Sequence, residues 1–321
     1  GLIIDDTDLK YLPREECQKP DTKIWKIAMW GEINDWELIQ QLEKRFISIQ
    51  SFFKKEHIQY GVGFESSNPK TKFNNEIKDL PIHTPYNILK YYTPIPPERI
   101  TIENFRRLGK LAAYKTHHVV LNEGIKVIDN ELSLLASFID YNSAYVKGIV
   151  GIYAKNKHDV LLKLLTIYFN SNFIRYYAFL TTSSWGVERD VVKHRELFNA
   201  PYLFEKLDNQ KINYILKLFD GPLYSKETYI ADKHIEDKIN KIIFDFFSEK
   251  EQSMINHLLN NIDLFHKHEK SKMLYPVLDD QPKEYAKIIT SKINTFLSKQ
   301  NIFVNATIYN ISSITPLIMI K

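Results

Sequence analysis

Between Leu161 and Phe204 the chain reads LLKLLTIYFNSNFIRYYAFLTTSSWGVERDVVKHRELFNAPYLF. Its first part, Leu161–Leu180, repeats apolar residues close to the three-to-four spacing of a helical face, which predicts one buried helix. The hydroxyl run Thr181–Ser184 predicts the end of that helix, because short hydroxyl side chains compete for backbone partners. After this turn we expect Trp185 in the core. The segment Lys193–Leu197 is typical of a short basic helix.

The order of these features resembles a known type of DNA-reading region. In sequence the chain carries Asn170-Ser171, an aromatic-rich half-helix, Ser183-Ser184-Trp185-Gly186, Arg189, Glu196-Leu197 and Pro201-Tyr202. This series is similar to the target-recognition region of adenine-N6 DNA methyltransferases of restriction-modification systems. Two further stretches support the resemblance. Trp25–Gly31 looks like the segment that joins the catalytic and recognition domains, and Ile235–Ile255 resembles the helical piece that follows.

The resemblance implies sequence-specific binding of double-stranded DNA by the non-catalytic C-terminal part of such an enzyme. S-adenosylmethionine would then bind a catalytic methyltransferase domain N-terminal to residue 1, an intramolecular partner, and we expect no cofactor, metal or catalytic residue in this chain. Such a domain needs a glycine loop after a strand and an Asn/Asp-Pro-Pro-aromatic motif. The sequence has neither motif. Its close glycine pair, Gly61-Val62-Gly63, has no helix after it and predicts a turn.

The amino-acid composition limits the classes of protein to which this chain can belong. The 321 residues are 44% hydrophobic with a formal net charge of +4, which suits packed cores and permits a nucleic-acid partner. One cysteine excludes a disulfide framework and is consistent with a reducing cytoplasm. No apolar run approaches the ~20 residues that span a bilayer, and there is no signal-peptide pattern. We therefore expect a cytoplasmic protein without a membrane partner.

The predicted fold class is α+β, with a β-rich recognition module packed on helices, followed by a helical segment and a small helix-plus-hairpin unit. We expect three regions: a linker region at 1–98, a target-recognition core at 99–224 and a C-terminal part at 225–321. Ile24–Trp30 predicts a buried strand, and Asn34 is expected to cap the next helix. Strands are predicted between Ile100 and Ala154, separated by turns at 122–124, 129–130 and 140–142.

Two basic runs are the candidate DNA-binding residues. Phosphates require unopposed cations, and base edges are read by side chains such as Arg, Lys and Asn. No acidic residue lies between Asn104 and Asn122. The first run contains Arg106, Arg107, Lys110, Tyr114, Lys115, His117 and His118. The second contains Arg189, Lys193, His194 and Arg195. Both could instead be solvated faces, because spacing does not place them on one surface.

Two other classes remain open from the sequence. A metal-dependent nuclease would use an acid, one residue and a lysine, with a further acid to share a magnesium ion. Three segments fit that pattern: Asp21-Thr22-Lys23, Glu76-Ile77-Lys78 and Glu236-Asp237-Lys238. So many matches in one chain mean that the pattern discriminates poorly. A protein-interaction scaffold needs no chemistry and would instead present a large exposed apolar patch.

Overall fold

The computed structural model describes residues 10–21, 23–66, 72–115, 117–129, 131–154, 159–221, 223, 231–270, 281–297, 303–309 and 317–320. The strands are β1 Ile58–Val62, β2 Lys72–Phe73, β3 Ile82–His83, β4 Tyr91–Tyr92, β5 Asn104–Phe105, β6 His118–Ile128, β7 Glu131–Ile139, β8 Ala144–Tyr145, β9 Ile149–Ala154, β10 Ala306–Tyr309 and β11 Leu317–Ile320. The helices are α1 Arg14–Cys17, α2 Lys23–Trp30, α3 Ile33–Arg45, α4 Ile49–Lys55, α5 Leu111–Tyr114, α6 Asp159–Phe169, α7 Asn172–Thr181, α8 His194–Leu197, α9 Asn209–Asp220, α10 Lys233–Phe244, α11 Glu249–Lys270 and α12 Gln281–Leu297.

A five-stranded mixed sheet forms the centre of the fold, in the order β1-β9-β6-β7-β4. Strands β6 and β7 form a long antiparallel hairpin whose turn residue Asp129 has a φ of 50°. Helix α6 packs on β6, β7 and β9. A buried cluster that includes Tyr114, Tyr145 and Phe105 packs with strand residues such as Val120 and Ile149. This architecture confirms the predicted α+β class and the packing of the β-rich module on the helix after Leu161.

The chain forms two compact units, Gly1–Asn260 and Asn261–Lys321. Strands β1 and β4, which come from the predicted linker region, belong to the same sheet as the 99–224 core. In the second unit, β10 and β11 pair antiparallel, and α12 contacts both strands. The predicted small helix-plus-hairpin unit is therefore confirmed.

The predicted single helix at 161–180 is wrong, because the chain forms two helices that break at Asn170-Ser171. Ser171 caps α7 by accepting a hydrogen bond from the amide of Ile174. Asn170 leaves the helix and bonds the backbone of β7 with its side chain. The end of α7 at Thr181 and the short helix at 194–197 follow the predictions.

Trp185 is 1% exposed and packs edge-on against Phe179, so the expectation of a core tryptophan is confirmed. The next residue, Gly186, has a φ of +76°, and an added Cβ would lie 2.7 Å from the Phe179 ring. Only glycine combines this conformation with so close an approach. The Ser184–Gly186 turn is thus fixed by the core beneath it.

Three other local predictions are wrong. Ile24–Trp30 lies in helix α2, with Ile24 and Ile27 buried one turn apart and Trp25 exposed. Helix α3 is capped by Glu32, whose capping box with Asp35 replaces the expected Asn34 cap. Gly61 and Val62 lie in β1, paired with Gly151 and Val150, rather than in a turn. For α2 and β1 a packing partner distant in sequence selects the conformation, whereas the cap of α3 is decided by two residues three apart.

The predicted turn at 122–124 is also wrong, because it is a register shift within β6. The segment 190–192, which lies outside the β6–β7 hairpin, forms backbone hydrogen bonds with this part of β6. The amide of Ile125 donates to Asp190 O at 2.9 Å, and the amide of Val192 donates to Glu123 O at 2.7 Å. The irregular stretch of β6 therefore holds the second basic run against the sheet.

Candidate nucleic-acid interface

Three cations surround the carboxylate of Glu65, just beyond the end of β1. Arg106 Nη1 donates to Oε1 at 3.2 Å, and Lys147 Nζ donates to the same oxygen at 3.1 Å. Arg107 Nη2 lies 3.8 Å from Oε2. The hydrogen bond from Lys147 is the main reason that the pKa of Glu65 lies below its usual value. We call these four residues the Glu65 cluster; its three cations outnumber its one acid.

Backbone hydrogen bonds fix the positions of the Glu65 cluster. The amide of Arg106 donates to Glu65 O at 2.8 Å, and the amide of Glu65 donates to Arg107 O at 2.8 Å. The amide of Lys147 donates to Phe64 O at 2.8 Å. The cations therefore come from two separate segments that are both tied to the strand end. This arrangement reduces the entropy lost when the side chains bind an anion.

A second acid, Glu123, holds part of the second basic run. His194 Nδ1 lies 2.6 Å from Glu123 Oε1, and Lys193 Nζ lies 3.9 Å from Oε2. Burial opposes the Glu123 charge, but its hydrogen bonds with His194 outweigh burial, so the pKa of this carboxyl is lowered. We call Glu123, Lys193 and His194 the Glu123 cluster.

One turn joins the two clusters. Lys147 and Gly148 are consecutive residues between β8 and β9. Lys147 belongs to the Glu65 cluster, and Gly148 O accepts a 2.9 Å hydrogen bond from the amide of Glu123. Parts of the two basic runs, although more than 80 residues apart in sequence, therefore meet at the same end of the central sheet.

The loop before β4 extends this surface with an exposed aromatic ring. Tyr86 is 89% exposed, and Lys126 Nζ lies 4.7 Å from its ring centroid. Pro85 O accepts a hydrogen bond from Asn122 Nδ2 at 3.4 Å. The Cγ of Pro85 lies 3.9 Å from where a Cβ of Gly148 would be. The turn at Lys147–Gly148 thus lies close to the loop that carries Tyr86.

The remaining candidates of the two basic runs lie outside the two clusters. Lys110 is exposed and lies along β1, where an added Cβ on Gly61 would be 3.1 Å from its Cγ. Lys115 pairs with Glu76 at 2.8 Å, and His117 pairs with Asp159 at 2.8 Å, toward the opposite end of β6. In the second run, Arg189 pairs with its neighbour Glu188 at 2.8 Å, and Arg195 is exposed on α8.

Three predicted DNA-binding residues lie in the interior instead. Tyr114 is buried and donates to Leu108 O at 2.6 Å. His118 is buried 3.1 Å from Ser143 Oγ, and His194 is buried in the Glu123 cluster. Side chains with so little exposed surface cannot form an interface with a duplex, so we remove these three from the candidate interface.

The three acid-x-lysine segments do not form a metal site in the structure. Lys23 bonds Glu43 at 2.7 Å, Lys78 bonds Glu103 at 2.6 Å, and Glu236 pairs with Lys90 at 2.5 Å. Among the residues that the structure describes, no three His, Cys, Asp or Glu side chains come together as metal ligands. Their geometry therefore gives the nuclease alternative no support. None of the described helices has both the length and the apolar character needed to cross a bilayer.

Comparison with known proteins adds little. No protein-family model matches the sequence, and no curated protein matches it. Among solved structures the chain is similar to the HsdS subunit from Thermoanaerobacter tengcongensis, at 9% identity and a TM-score of 0.28. The match covers 74% of this chain and 52% of that subunit, so the chain spans about half the length of its neighbour. A likeness this weak establishes neither a common fold nor a common function.

Sequence reasoning missed four residues of this surface: Glu65, Lys147, Tyr86 and Lys126. Lys147 is one lysine in a turn, and Glu65 lies about 40 residues before the basic run that it partly neutralises. Tyr86 follows a proline in a turn-rich region, which is a common setting for an exposed aromatic residue. Its position beside the cations is a property of the sheet topology.

Proposed function

We propose that this chain binds double-stranded DNA, with its phosphate contacts at the end of the central sheet formed by Arg106, Arg107, Lys147 and Lys193. The observation that supports this most directly is the Glu65 cluster, in which three cations already surround one carboxylate. A group of cations arranged around one anion suits another anion of similar charge, such as a backbone phosphate. Lys110 and Arg195 add exposed positive charge.

The finer proposal rests on the resemblance to adenine-N6 DNA methyltransferases. On this basis the chain recognises the DNA sequence on behalf of a restriction-modification system. A methyltransferase domain elsewhere holds S-adenosylmethionine and performs the chemistry. The polar, positively charged surface supports a recognition role, and Glu65 and Glu123 limit its charge. A surface with a smaller excess of charge binds DNA less tightly without regard to sequence.

The direct test replaces Arg106, Arg107 and Lys147 together by alanine and measures duplex binding by fluorescence anisotropy across a salt series. The slope of log affinity against log salt should flatten by about 0.9 for every phosphate that the variant no longer neutralises, so we expect a change of about 1 to 3. The matched control replaces the exposed Lys54, Lys55 and Lys238, which changes the net charge equally. Equal slopes in the two triple variants would refute the footprint.

A second prediction concerns the acid in the cluster. Glu65→Gln removes one negative charge beside three cations. We expect duplex binding to tighten at low salt by only about threefold, because a single solvent-exposed charge has a modest effect. The gain should fade at high salt as screening increases. The control is Glu103→Gln, which removes the charged partner of Lys78. Weaker duplex binding by Glu65→Gln than by the parent chain would contradict the prediction.

A further inference from the structure

We infer that Tyr86 is a stacking platform for an unpaired nucleobase, placed beside the phosphate-binding cations. This inference rests on the proposed function and adds a contact to the base, where the Glu65 cluster supplies contacts to the backbone. It also names a ligand class, single-stranded or locally unpaired DNA, that the basic runs by themselves do not specify.

The exposure of Tyr86 is the first support. At 89% exposed, the ring buries little of its own surface and contributes little to the core. Lys126 lies 4.7 Å from the centroid, which leaves most of the ring open to a ligand. Aromatic rings stack on the faces of all four bases, and nearby cations strengthen binding of the charged strand.

The loop that carries Tyr86 is held in one conformation, which is the second support. Asn87 Oδ1 accepts from the amide of Thr84 at 3.0 Å, and Asn87 Nδ2 donates to Ile82 O at 3.0 Å. Asn122 bonds the neighbouring Pro85 from β6. An exposed ring on a rigid loop loses little conformational entropy when a base stacks on it.

The position of the loop is the third support. Pro85 lies close to the turn at Lys147–Gly148, and Lys147 belongs to the Glu65 cluster. The ring and the cations therefore share one surface, as in proteins that bind single strands through a basic groove lined with aromatic residues. The central sheet positions this surface, because Lys126 lies in β6, Glu65 follows β1 and Lys147 precedes β9.

The test measures binding of the full chain to a labelled single strand of about 20 nucleotides, long enough for one site, and to its fully paired duplex. Tyr86→Ala should weaken single-strand binding roughly tenfold and duplex binding much less, because paired bases already stack on each other. Tyr86→Phe should restore the parent affinity, since it keeps the ring. Tyr11→Ala is the matched control, because Tyr11 is 92% exposed and lines a different surface near Gly31.

The outcomes separate the two proposals. Equal single-strand affinity of Tyr86→Ala and the parent would overturn the stacking inference, and so would an equal loss on single strand and duplex. If the cations of the Glu65 cluster still set the salt slope in that case, the proposed function stands. Failure of the parent chain to bind either DNA form at low salt would overturn both.

Discussion

Replacing Asn170 by alanine is expected to lower the free energy of unfolding by about 3 kcal/mol, because two buried backbone groups lose their partners. Asn170 Oδ1 accepts from the amide of Ala136 at 3.2 Å, and its Nδ2 donates to Ala136 O at 2.7 Å. Ala136 lies in β7, and the next two residues of that strand, Ser137 and Phe138, pair with β4. The side chain of Asn170 thus continues the pairing of β7 for one more residue.

Urea unfolding followed by tryptophan fluorescence measures this loss. All four tryptophans lie before residue 261, so the signal reports the first unit. Asn170→Asp gives a sharper variant of nearly equal volume, since its carboxylate would face the Ala136 carbonyl and no longer donate. We expect it to be at least as destabilised as Asn170→Ala. The exposed Asn209→Ala is the control. A loss below about 0.5 kcal/mol in Asn170→Ala would show that Ala136 finds other partners.

Replacing Lys26 by methionine is expected to stabilise the protein most at low pH. Lys26 is 3% exposed, its ammonium group donates to Thr182 O, and its Nζ lies 5.3 Å from the Phe179 ring centroid. Burial lowers the pKa of Lys26 to about 7, although Glu196 opposes the shift. The folded chain therefore disfavours the charged form of this side chain.

The sign of the pH dependence follows from proton counting. Between about pH 7 and the usual lysine pKa near 10.4, the unfolded chain keeps the Lys26 proton and the folded chain has lost it. The contribution of Lys26 to stability is lowest below pH 7 and rises by about 1.4 kcal/mol per pH unit above it. The advantage of Lys26→Met should therefore be largest below pH 7 and shrink as the pH rises.

Unfolding free energies at pH 6, 7, 8 and 9 test this prediction, with the exposed Lys55→Met as the control. The control should follow the parent curve, because its charge is solvated in both states. Lys26→Met leaves Thr182 O without this donor, which costs about 1 kcal/mol at every pH and does not alter the slope. Parallel curves for the parent and Lys26→Met would show that Lys26 is charged in the fold.

Several features of the fold could be predicted locally. The β6–β7 hairpin follows from the apolar runs on either side of the turn residues Asp129-Asn130. The start of α11 follows from a capping box, in which the amide and Oγ of Ser248 donate to Glu251 Oε2. The core position of Trp185 follows from its size beside a helix end. Each of these signals lies within a few residues of the structure that it determines.

The candidate site could be predicted in part. The cations at 106, 107, 110, 193 and 195 are exposed, but Tyr114, His118 and His194 are buried. The first basic run contains no acid in sequence, yet Glu65, Glu76 and Asp159 reach its basic residues from other segments. A charge pattern along the chain shows sequence neighbours, whereas the field at the surface depends on neighbours in space.

The sequence by itself determined the α+β class, the hairpin, the cap of α11 and the presence of two basic runs, because these depend on contacts between residues close along the chain. The tertiary structure decided that Ile24–Trp30 is helical, that the helix after Leu161 breaks at Asn170, and that the loop carrying Tyr86 lies close to the turn carrying Lys147. Each of those outcomes depends on a partner more than 20 residues away, such as Thr182, Ala136 or Gly148. Local conformational propensity contributes less free energy than the burial and hydrogen bonding that such partners supply.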